Sequence, residues 1–244
     1  MKREFEILDK VVFFPREGML VFGDMHLGYE AMLSESGILL PSSIREQIFN
    51  DVEKIISLLI NQNKFINEII FLGDVKHYFS YNKLESKDLS NLIVRLKSYL
   101  PKVKIFFVRG NHEVFANLNK EGLLDYYIKG DKAFIHGDRE FDEIFEKRVK
   151  MIVMAHLHPA VTIIDNQRIR AEKYKCFLFG RYRNKQVLIL PSFLPLVEGS
   201  SVNEYLNDSL CIVPSKNLKD FEVIIFSDGR EYNFGKLRHL ILTE

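Results

Sequence analysis

Short apolar runs recur along the first two thirds of the chain, and each run ends in glycine or histidine together with other polar residues. The runs are too short for helices and are rich in Val, Ile, Leu and Phe, a composition that is typical of buried strands. We therefore predict five strands whose following loops carry the polar chemistry. They lie in MLVFGD (19–24), EIIFLGD (68–74), VKIFFVRGN (103–111), KAFIHGD (132–138) and MIVMAHLH (151–158).

Longer segments between these runs show helical periodicity instead. Residues 41–60 place Ile, Val and Leu on one face, and Ser43 with Glu46 is a candidate capping box. A second helix is predicted from about Ser86 to Tyr99, and a third over residues 139–148. The alternation of strands and helices indicates a parallel or mixed sheet that is covered by helices.

The pattern changes after His158 to strand-like segments that are separated by turn-rich stretches, namely YKCFLF, QVLILP, LCIV and FEVIIF. These segments predict further antiparallel strands over residues 160–244. No internal repeat, low-complexity tract or linker marks a boundary. We therefore expect a single domain over residues 1–244.

Composition and charge exclude several classes of protein. The chain has 244 residues and 47% hydrophobic content, with 34 basic and 33 acidic residues that nearly cancel, so a nucleic-acid partner would need a local basic patch. The N-terminus lacks the apolar core of a signal peptide, and no apolar run approaches the ~18 residues of a membrane span. We expect a cytoplasmic protein without a membrane partner. Cys176 and Cys211 form no CxxC pair, which favours buried thiols over a disulfide or a thiolate zinc site.

Side chains whose nitrogen or oxygen atoms can bind a ligand lie at the ends of the predicted strands. The carboxyl ends of parallel strands converge on one edge of a sheet, which is where ligand sites form. A single histidine could equally be a core or surface residue satisfied by hydrogen bonds, but this many at strand ends favour a common site. The candidates are Asp24, His26, Asp74, Asn111, His112, His136, His156 and His158.

The spacing of these donors favours metal binding. Asp24 with His26, and His156 with His158, are i, i+2 pairs, so each pair can face one side of an extended backbone. Carboxylate, imidazole and amide donors without thiolate suit manganese, iron or zinc. Manganese is the ion that we expect, with iron, zinc, nickel and magnesium as alternatives. The number of donors exceeds what one ion takes from a protein, so two ions that share Asp74 are expected.

Five motifs in order, GDMHLG, GDVKH, GNHE, HGD and AHLHP, resemble those of the calcineurin-like metallophosphoesterases over residues 23–159. The resemblance implies an α/β fold, a four-layer α-β-β-α sandwich of two mixed sheets, with residues 160–244 completing the second sheet. It also implies that one ion is held by Asp24, His26, Asp74 and His158, and the other by Asp74, Asn111, His136 and His156. His112 would stand beside the ions as the general acid.

This resemblance also implies hydrolysis of a phosphate ester by a metal-bound hydroxide. Two divalent ions carry more charge than two carboxylates and a hydroxide neutralise, so a positive surplus remains for the phosphate. The amide of Asn111 fills a coordination position without cancelling that surplus.

A narrower resemblance points to one branch of the family. His77 stands where many members have an aspartate, and the SbcD-type nucleases also carry a histidine there; His77 could orient His112 or contact the substrate. The segments DMHLGYE, GILLP and LPSFLPLVEGSSVN are similar to the small ICC-like, SbcD-related phosphoesterases of the PdeM type, which lack a capping domain.

The expected function is therefore a phosphodiesterase that acts on nucleic acid or a nucleotide, with DNA or RNA as a candidate partner. A phosphomonoesterase or phosphoprotein phosphatase is the first alternative, and a non-catalytic scaffold with the same fold is the second. RIRAEKYK (168–175) and RYRNK (181–185) could form a basic hairpin beside the site, or simply carry solvated charges.

Overall fold

The computed structural model describes residues 3–38, 44–76, 83–111, 122–165, 170–204 and 211–242. The elements up to the middle of the chain are β1 (Glu6–Leu8), β2 (Val11–Phe14), β3 (Met19–Phe22), α1 (Tyr29–Glu35), α2 (Ile44–Asn61), β4 (Glu68–Phe71), α3 (Lys83–Tyr99), β5 (Lys104–Val108), β6 (Leu123–Leu124), β7 (Tyr127–Lys129) and β8 (Lys132–Phe134). They are followed by β9 (Met151–Met154), β10 (Pro159–Ile164), β11 (Ala171–Lys175), β12 (Phe177–Tyr182), β13 (Lys185–Ile189), β14 (Ser200–Ser201), α4 (Ser215–Leu218), β15 (Glu222–Ser227) and β16 (Arg230–Lys236).

The first sheet has the strand order β1-β2-β3-β4-β5-β6. Its β3, β4, β5 and β6 are parallel, while β1 and β2 form an antiparallel extension. The apolar faces of α2 and α3 cover one side of this sheet, with Ile48 and Val52 from α2 and Leu92 and Leu96 from α3 in the same core cluster. The 3.6-residue periodicity of both helices explains this one-sided burial.

The second sheet has the order β16-β15-β12-β13-β9-β8-β7 and is parallel only at β13, β9 and β8. A three-stranded sheet of β11, β10 and β14 contributes Val161 to the core on its outer side. Short helical turns, including α4 with Leu218, cover the rest of that core. The helix predicted over 139–148 is wrong, because only Asp142–Phe145 form a 3-10 turn there.

A central core lies between the two large sheets. It combines β2 and β4 of the first sheet with β8, β9 and β13 of the second, and Phe14 of β2 meets Phe134 of β8 edge to face at 6.0 Å between ring centroids. Because β2 and β9 are buried on both faces, each of their sequences is a continuous apolar run rather than an alternating one. The result is the four-layer sandwich of two mixed sheets that the resemblance to the metallophosphoesterases implies.

Three phenylalanines lie side by side on the helix-covered face of the first sheet. Phe22, Phe71 and Phe107 occupy adjacent positions in the ladder of β3, β4 and β5. Their rings stack at 5.2 Å and 5.1 Å between centroids. Phe22 and Phe71 are each the last residue of their strand, so this aromatic row immediately precedes the polar loops.

All five strands predicted from apolar runs are present, and so are the helices predicted over 41–60 and 86–99. The candidate cap Ser43 lies outside the described residues. The predicted elements do not include β1, β2 or α1, although the run VVFF (11–14) is typical of a strand. None of the helices in the described ranges is both long and apolar enough to cross a membrane.

Replacing Phe71 tests how much this aromatic row stabilises the fold. Phe71 is 0% exposed and stacks on both neighbours, so Phe71→Ala should lower the free energy of unfolding by about 3–5 kcal/mol. Phe65 is 82% exposed, so Phe65→Ala should change it by less than about 0.5 kcal/mol. Urea denaturation of both variants provides the measurement. Equal changes in the free energy of unfolding would contradict a stabilising role of the aromatic row.

Candidate active site

One edge of the sandwich collects the carboxyl ends of the parallel strands from both large sheets. Asp24 and Asp74 follow β3 and β4, and Asn111 follows β5 of the first sheet. His136 and His156 follow β8 and β9 of the second sheet. The two sheets face each other, so loops that are far apart in sequence meet at this edge.

His136 lies at the centre of one group of candidate metal ligands. Its Nδ1 is 2.8 Å from the carbonyl oxygen of Leu72, which can only accept, so Nδ1 carries the proton and donates. The Nε2 atom then presents a lone pair when the ring is neutral. It lies 3.5 Å from Asp74 Oδ2, 3.0 Å from Asn111 Oδ1 and 2.9 Å from His156 Nδ1.

This arrangement suits a bound cation. A metal-binding histidine usually donates its second ring nitrogen to a carbonyl or carboxylate, as His136 does to Leu72. With Nδ1 protonated, the neutral ring offers no proton to the oxygen atoms around its Nε2 atom. Ligand atoms of Asp74, His136 and His156 all lie within 4.8 Å of one another.

A second group adjoins the first. Asp24, His26 and His158 also present ligand atoms within 4.8 Å of one another. His158 Nε2 is 3.3 Å from Asp24 Oδ2, and His136 Nδ1 is 3.6 Å from Asp24 Oδ1, so Asp24 stands between the two groups. Asp24 Oδ1 is buried and accepts no hydrogen bond from the described residues. A buried acceptor of this kind is costly unless a cation or water satisfies it.

The electrostatic environment favours the cation-binding forms of Asp24 and His156, whereas at His158 burial alone would lower the pKa but the Asp24 carboxylate raises it. Burial alone would raise the pKa of Asp24, but three neighbouring histidines, of which His158 acts most strongly, hold it below its usual range. Burial, followed by the proximity of His136, lowers the pKa of His156 to about 4. Near neutral pH the site therefore contains an ionised carboxylate and a neutral imidazole.

The backbone is unusual at the same residues. His26, Asp74, His156 and His158 have φ values of 46°, 45°, 64° and 48°. Residues other than glycine rarely adopt this left-handed region, and such strain concentrates at functional sites. Four such residues at one edge indicate that packing holds the donor side chains in place at a cost in backbone energy.

Two glycines permit the close approach of the loops. A Cβ atom on Gly110 would lie 2.1 Å from Asp74 Oδ1, and one on Gly73 would lie 2.5 Å from His136 Nδ1. Neither position can carry a side chain unless the neighbouring Asp74 carboxylate or His136 ring moves. The glycine of GNHE and the glycine of GDVKH thus make room for the carboxylate and the imidazole.

The structure brings together the seven side chains that the sequence singles out as ligands, namely Asp24, His26, Asp74, Asn111, His136, His156 and His158. Their role as ligands, and the sharing of Asp74 between two ions, stay predictions. His112 and His77, the predicted catalytic histidines, lie outside the described residues.

The basic hairpin that was one of two alternatives for 168–175 and 181–185 does not form from the described residues of these segments. β11 pairs with β10 in the small sheet, whereas β12 pairs with β13 and β15 in the seven-stranded sheet. Arg183 forms an ion pair with Glu140 at 2.9 Å. The described parts of the two basic segments therefore belong to different sheets, and Arg168 lies outside the described residues.

A distant segment of the chain holds the backbone of Asp24 through hydrogen bonds that the sequence patterns did not predict. The carbonyl oxygen of Asp24 accepts hydrogen bonds from Phe193 N at 2.8 Å and from Ser192 Oγ at 3.2 Å. Neither residue is a metal-ligand type, so donor spacing could not reveal them. The only sequence signal was the similarity of LPSFLPLVEGSSVN to one branch of the family.

The family model described as calcineurin-like phosphoesterase matches residues 19–156, which is more than half of the chain. The chain belongs to the calcineurin-like phosphoesterase family. The matched range contains Asp24, Asp74, Asn111, His136 and His156. A comparison with curated proteins gave no match.

Solved structures were compared with this calcineurin-like phosphoesterase. The nuclease MPE of Pseudomonas putida is 15% identical, with a TM-score of 0.60 over 94% of this chain and 100% of that chain. A Vps29 double mutant from Entamoeba histolytica is 12% identical, with a TM-score of 0.36 over 89% of this chain and 99% of that chain. At these identities the nuclease shows a common fold, and the lower score of Vps29 supports no argument.

Replacing Gly110 tests the geometry of the site in this phosphoesterase. Gly110→Ala should displace the Asp74 carboxylate and weaken Mn²⁺ binding by at least ~10-fold, measured by titration calorimetry on metal-free protein. Gly37→Ala is the control, since Gly37 has a φ of 84° but no atom within 4 Å of an added Cβ. Unchanged Mn²⁺ affinity in Gly110→Ala would show that Asp74 is not a ligand.

Proposed function

We propose that this protein is a metal-dependent phosphodiesterase that acts on nucleic acid or nucleotide phosphodiesters. The proposal rests on the convergence of two adjacent donor groups at one edge of the sandwich. Divalent cations bound there would polarise phosphoryl oxygens and lower the pKa of water near the phosphate. Manganese is the proposed ion, and a set of imidazole nitrogen with carboxylate or amide oxygen, without thiolate, also accepts iron or zinc.

The charge of the donor set supports a phosphate substrate. Asp24 and Asp74 contribute two negative charges, while the pKa of His156 keeps that imidazole neutral. Asn111 lies 3.0 Å from His136 Nε2 and brings an oxygen without a charge. Two divalent cations would therefore leave a positive surplus at this edge, which attracts a phosphate anion.

His112 is the proposed general acid. It is adjacent in the chain to Asn111, whose side chain reaches the centre of the site. An imidazole at this point can donate a proton to the departing oxygen, which typically contributes ~10²–10⁴ in rate. His77 is proposed either to orient His112 or to contact the substrate, because it follows Asp74 in the GDVKH motif.

Phosphodiesters are preferred over phosphomonoesters on two grounds. The GDVKH motif has a histidine where the SbcD-type nucleases also have one, and the nuclease MPE shares the fold over the whole of its length. Asn111 is exposed, so the described part of the site is open to solvent on that side. An exposed edge of this kind can receive a phosphate within an extended chain.

The function is tested by assaying purified protein with Mn²⁺ on three substrates: bis-p-nitrophenyl phosphate, p-nitrophenyl phosphate and single-stranded DNA. We expect hydrolysis of the first and third that stops on addition of a chelator. Turnover of p-nitrophenyl phosphate alone would establish the monoesterase instead. Mn²⁺ binding without any turnover would support a non-catalytic scaffold.

The role of His112 is tested by His112→Ala. This variant should bind Mn²⁺ with the affinity of the wild type but lose ~10²–10⁴ in kcat on bis-p-nitrophenyl phosphate, since only the proton donor is removed. His239→Ala is the matched control, because His239 is exposed in the C-terminal 3-10 turn. A decrease of less than about threefold would exclude His112 as the general acid.

A further inference from the structure

The loop after β13 reaches from the second sheet to the ligand loop of the first. Leu190 N donates to Met154 O at 2.8 Å, which continues the pairing of β13 with β9. Two residues later the loop bonds to the carbonyl oxygen of Asp24, through Ser192 Oγ at 3.2 Å and Phe193 N at 2.8 Å. The peptide of Asp24 is therefore held by residues 192–193.

Lys175 holds this loop from the other side. Its Nζ atom donates to Ser192 O at 2.9 Å and also to Leu194 O. Lys175 is the last residue of β11, whose partner strand β10 begins immediately after His158. The two carbonyl groups flank Phe193, so the lysine fixes the segment that contacts Asp24.

The same part of the chain also supports His158. Ser200 N donates to His158 O at 2.8 Å, and a Cβ atom on Gly199 would lie 2.4 Å from that oxygen. β14 then pairs with β10. Residues 190–201 therefore contact the backbone of two members of the donor group Asp24, His26 and His158.

We propose that Lys175 is a positioning residue that orients Asp24 for cation binding through the loop 192–194. This inference deepens the proposed function and rests on the same donor group. Asp24 Oδ1 has no hydrogen bond from the described residues. The direction of that oxygen therefore depends on how the backbone of Asp24 is held and on the two contacts of Oδ2, with His156 N at 3.1 Å and His158 Nε2 at 3.3 Å.

Lys175 can hold the loop 192–194 without carrying a charge. An amine offers two N–H groups and an ammonium three, so either form can donate to both carbonyl oxygens. Burial and the nearby Lys10 lower the pKa of Lys175 to about 7. A cation bound beside Asp24 would further favour the neutral amine, so the lysine need not oppose metal binding.

The experiment compares Lys175→Met with Lys185→Met. Lys185 is also a lysine that donates to two backbone carbonyls, Glu146 O at 2.6 Å and Val149 O, but it begins β13 at the end remote from the site. Both variants should lower the thermal stability. Only Lys175→Met should weaken Mn²⁺ binding to metal-free protein, by ~10-fold or more.

Hydrolysis of bis-p-nitrophenyl phosphate gives a second measurement. At limiting Mn²⁺ the kcat of Lys175→Met should fall while KM stays unchanged, and added Mn²⁺ should restore kcat. Wild-type Mn²⁺ affinity in Lys175→Met would overturn the inference even if the enzyme is active. If the wild type binds Mn²⁺ but hydrolyses nothing, the proposed function fails, and the affinities still test the role of Lys175.

A milder variant keeps the inference testable if Lys175→Met does not fold. Ser192→Ala removes only the hydroxyl that donates to Asp24 O. It should weaken Mn²⁺ binding by about threefold to fivefold, as expected for one neutral hydrogen bond. Wild-type Mn²⁺ affinity in Ser192→Ala would contradict the proposal that the loop 192–194 orients Asp24 for cation binding.

Discussion

The candidate site depends on the close approach of several candidate ligand atoms to one buried histidine ring. His136 Nε2 faces oxygen atoms of Asp74 and Asn111 and a nitrogen of His156, all within 3.5 Å. The proton of His136 is committed to Leu72 O on its other nitrogen. A positive ion is the simplest partner for such a cluster, and the surrounding architecture keeps the cluster assembled.

The cost of that assembly is distributed over the fold. Asp24 is 0% exposed and Asp74 2% exposed, and four candidate ligands have left-handed backbone conformations. Burial of charge and backbone strain each oppose folding. The aromatic row of the first sheet and the core between the sheets offset this cost, because they bury large apolar side chains directly behind the ligand loops.

The C-terminal part of the chain contributes to the site without supplying a predicted ligand. Residues 192 and 193 bind the backbone of Asp24, and Ser200 binds that of His158. The candidate site of this protein is therefore held in part by segments outside the matched range of 19–156. Such contacts act through hydrogen bonds to main-chain atoms, which place few demands on residue type and leave little trace in a motif.

The amino-acid sequence by itself determined the five strands that precede the polar loops, the two long helices and the set of candidate ligands, because apolar periodicity and the position of residues such as Asp74 and His136 after each run are local features of the chain. It missed the pairing of β11 with β10 and the support of Asp24 by Ser192, Phe193 and Lys175, and it overestimated the helix at 139–148. Those features depend on which distant segments meet. Only the tertiary structure decided them, since a hydrogen bond between residues 24 and 192 has no periodicity that a local pattern could reveal.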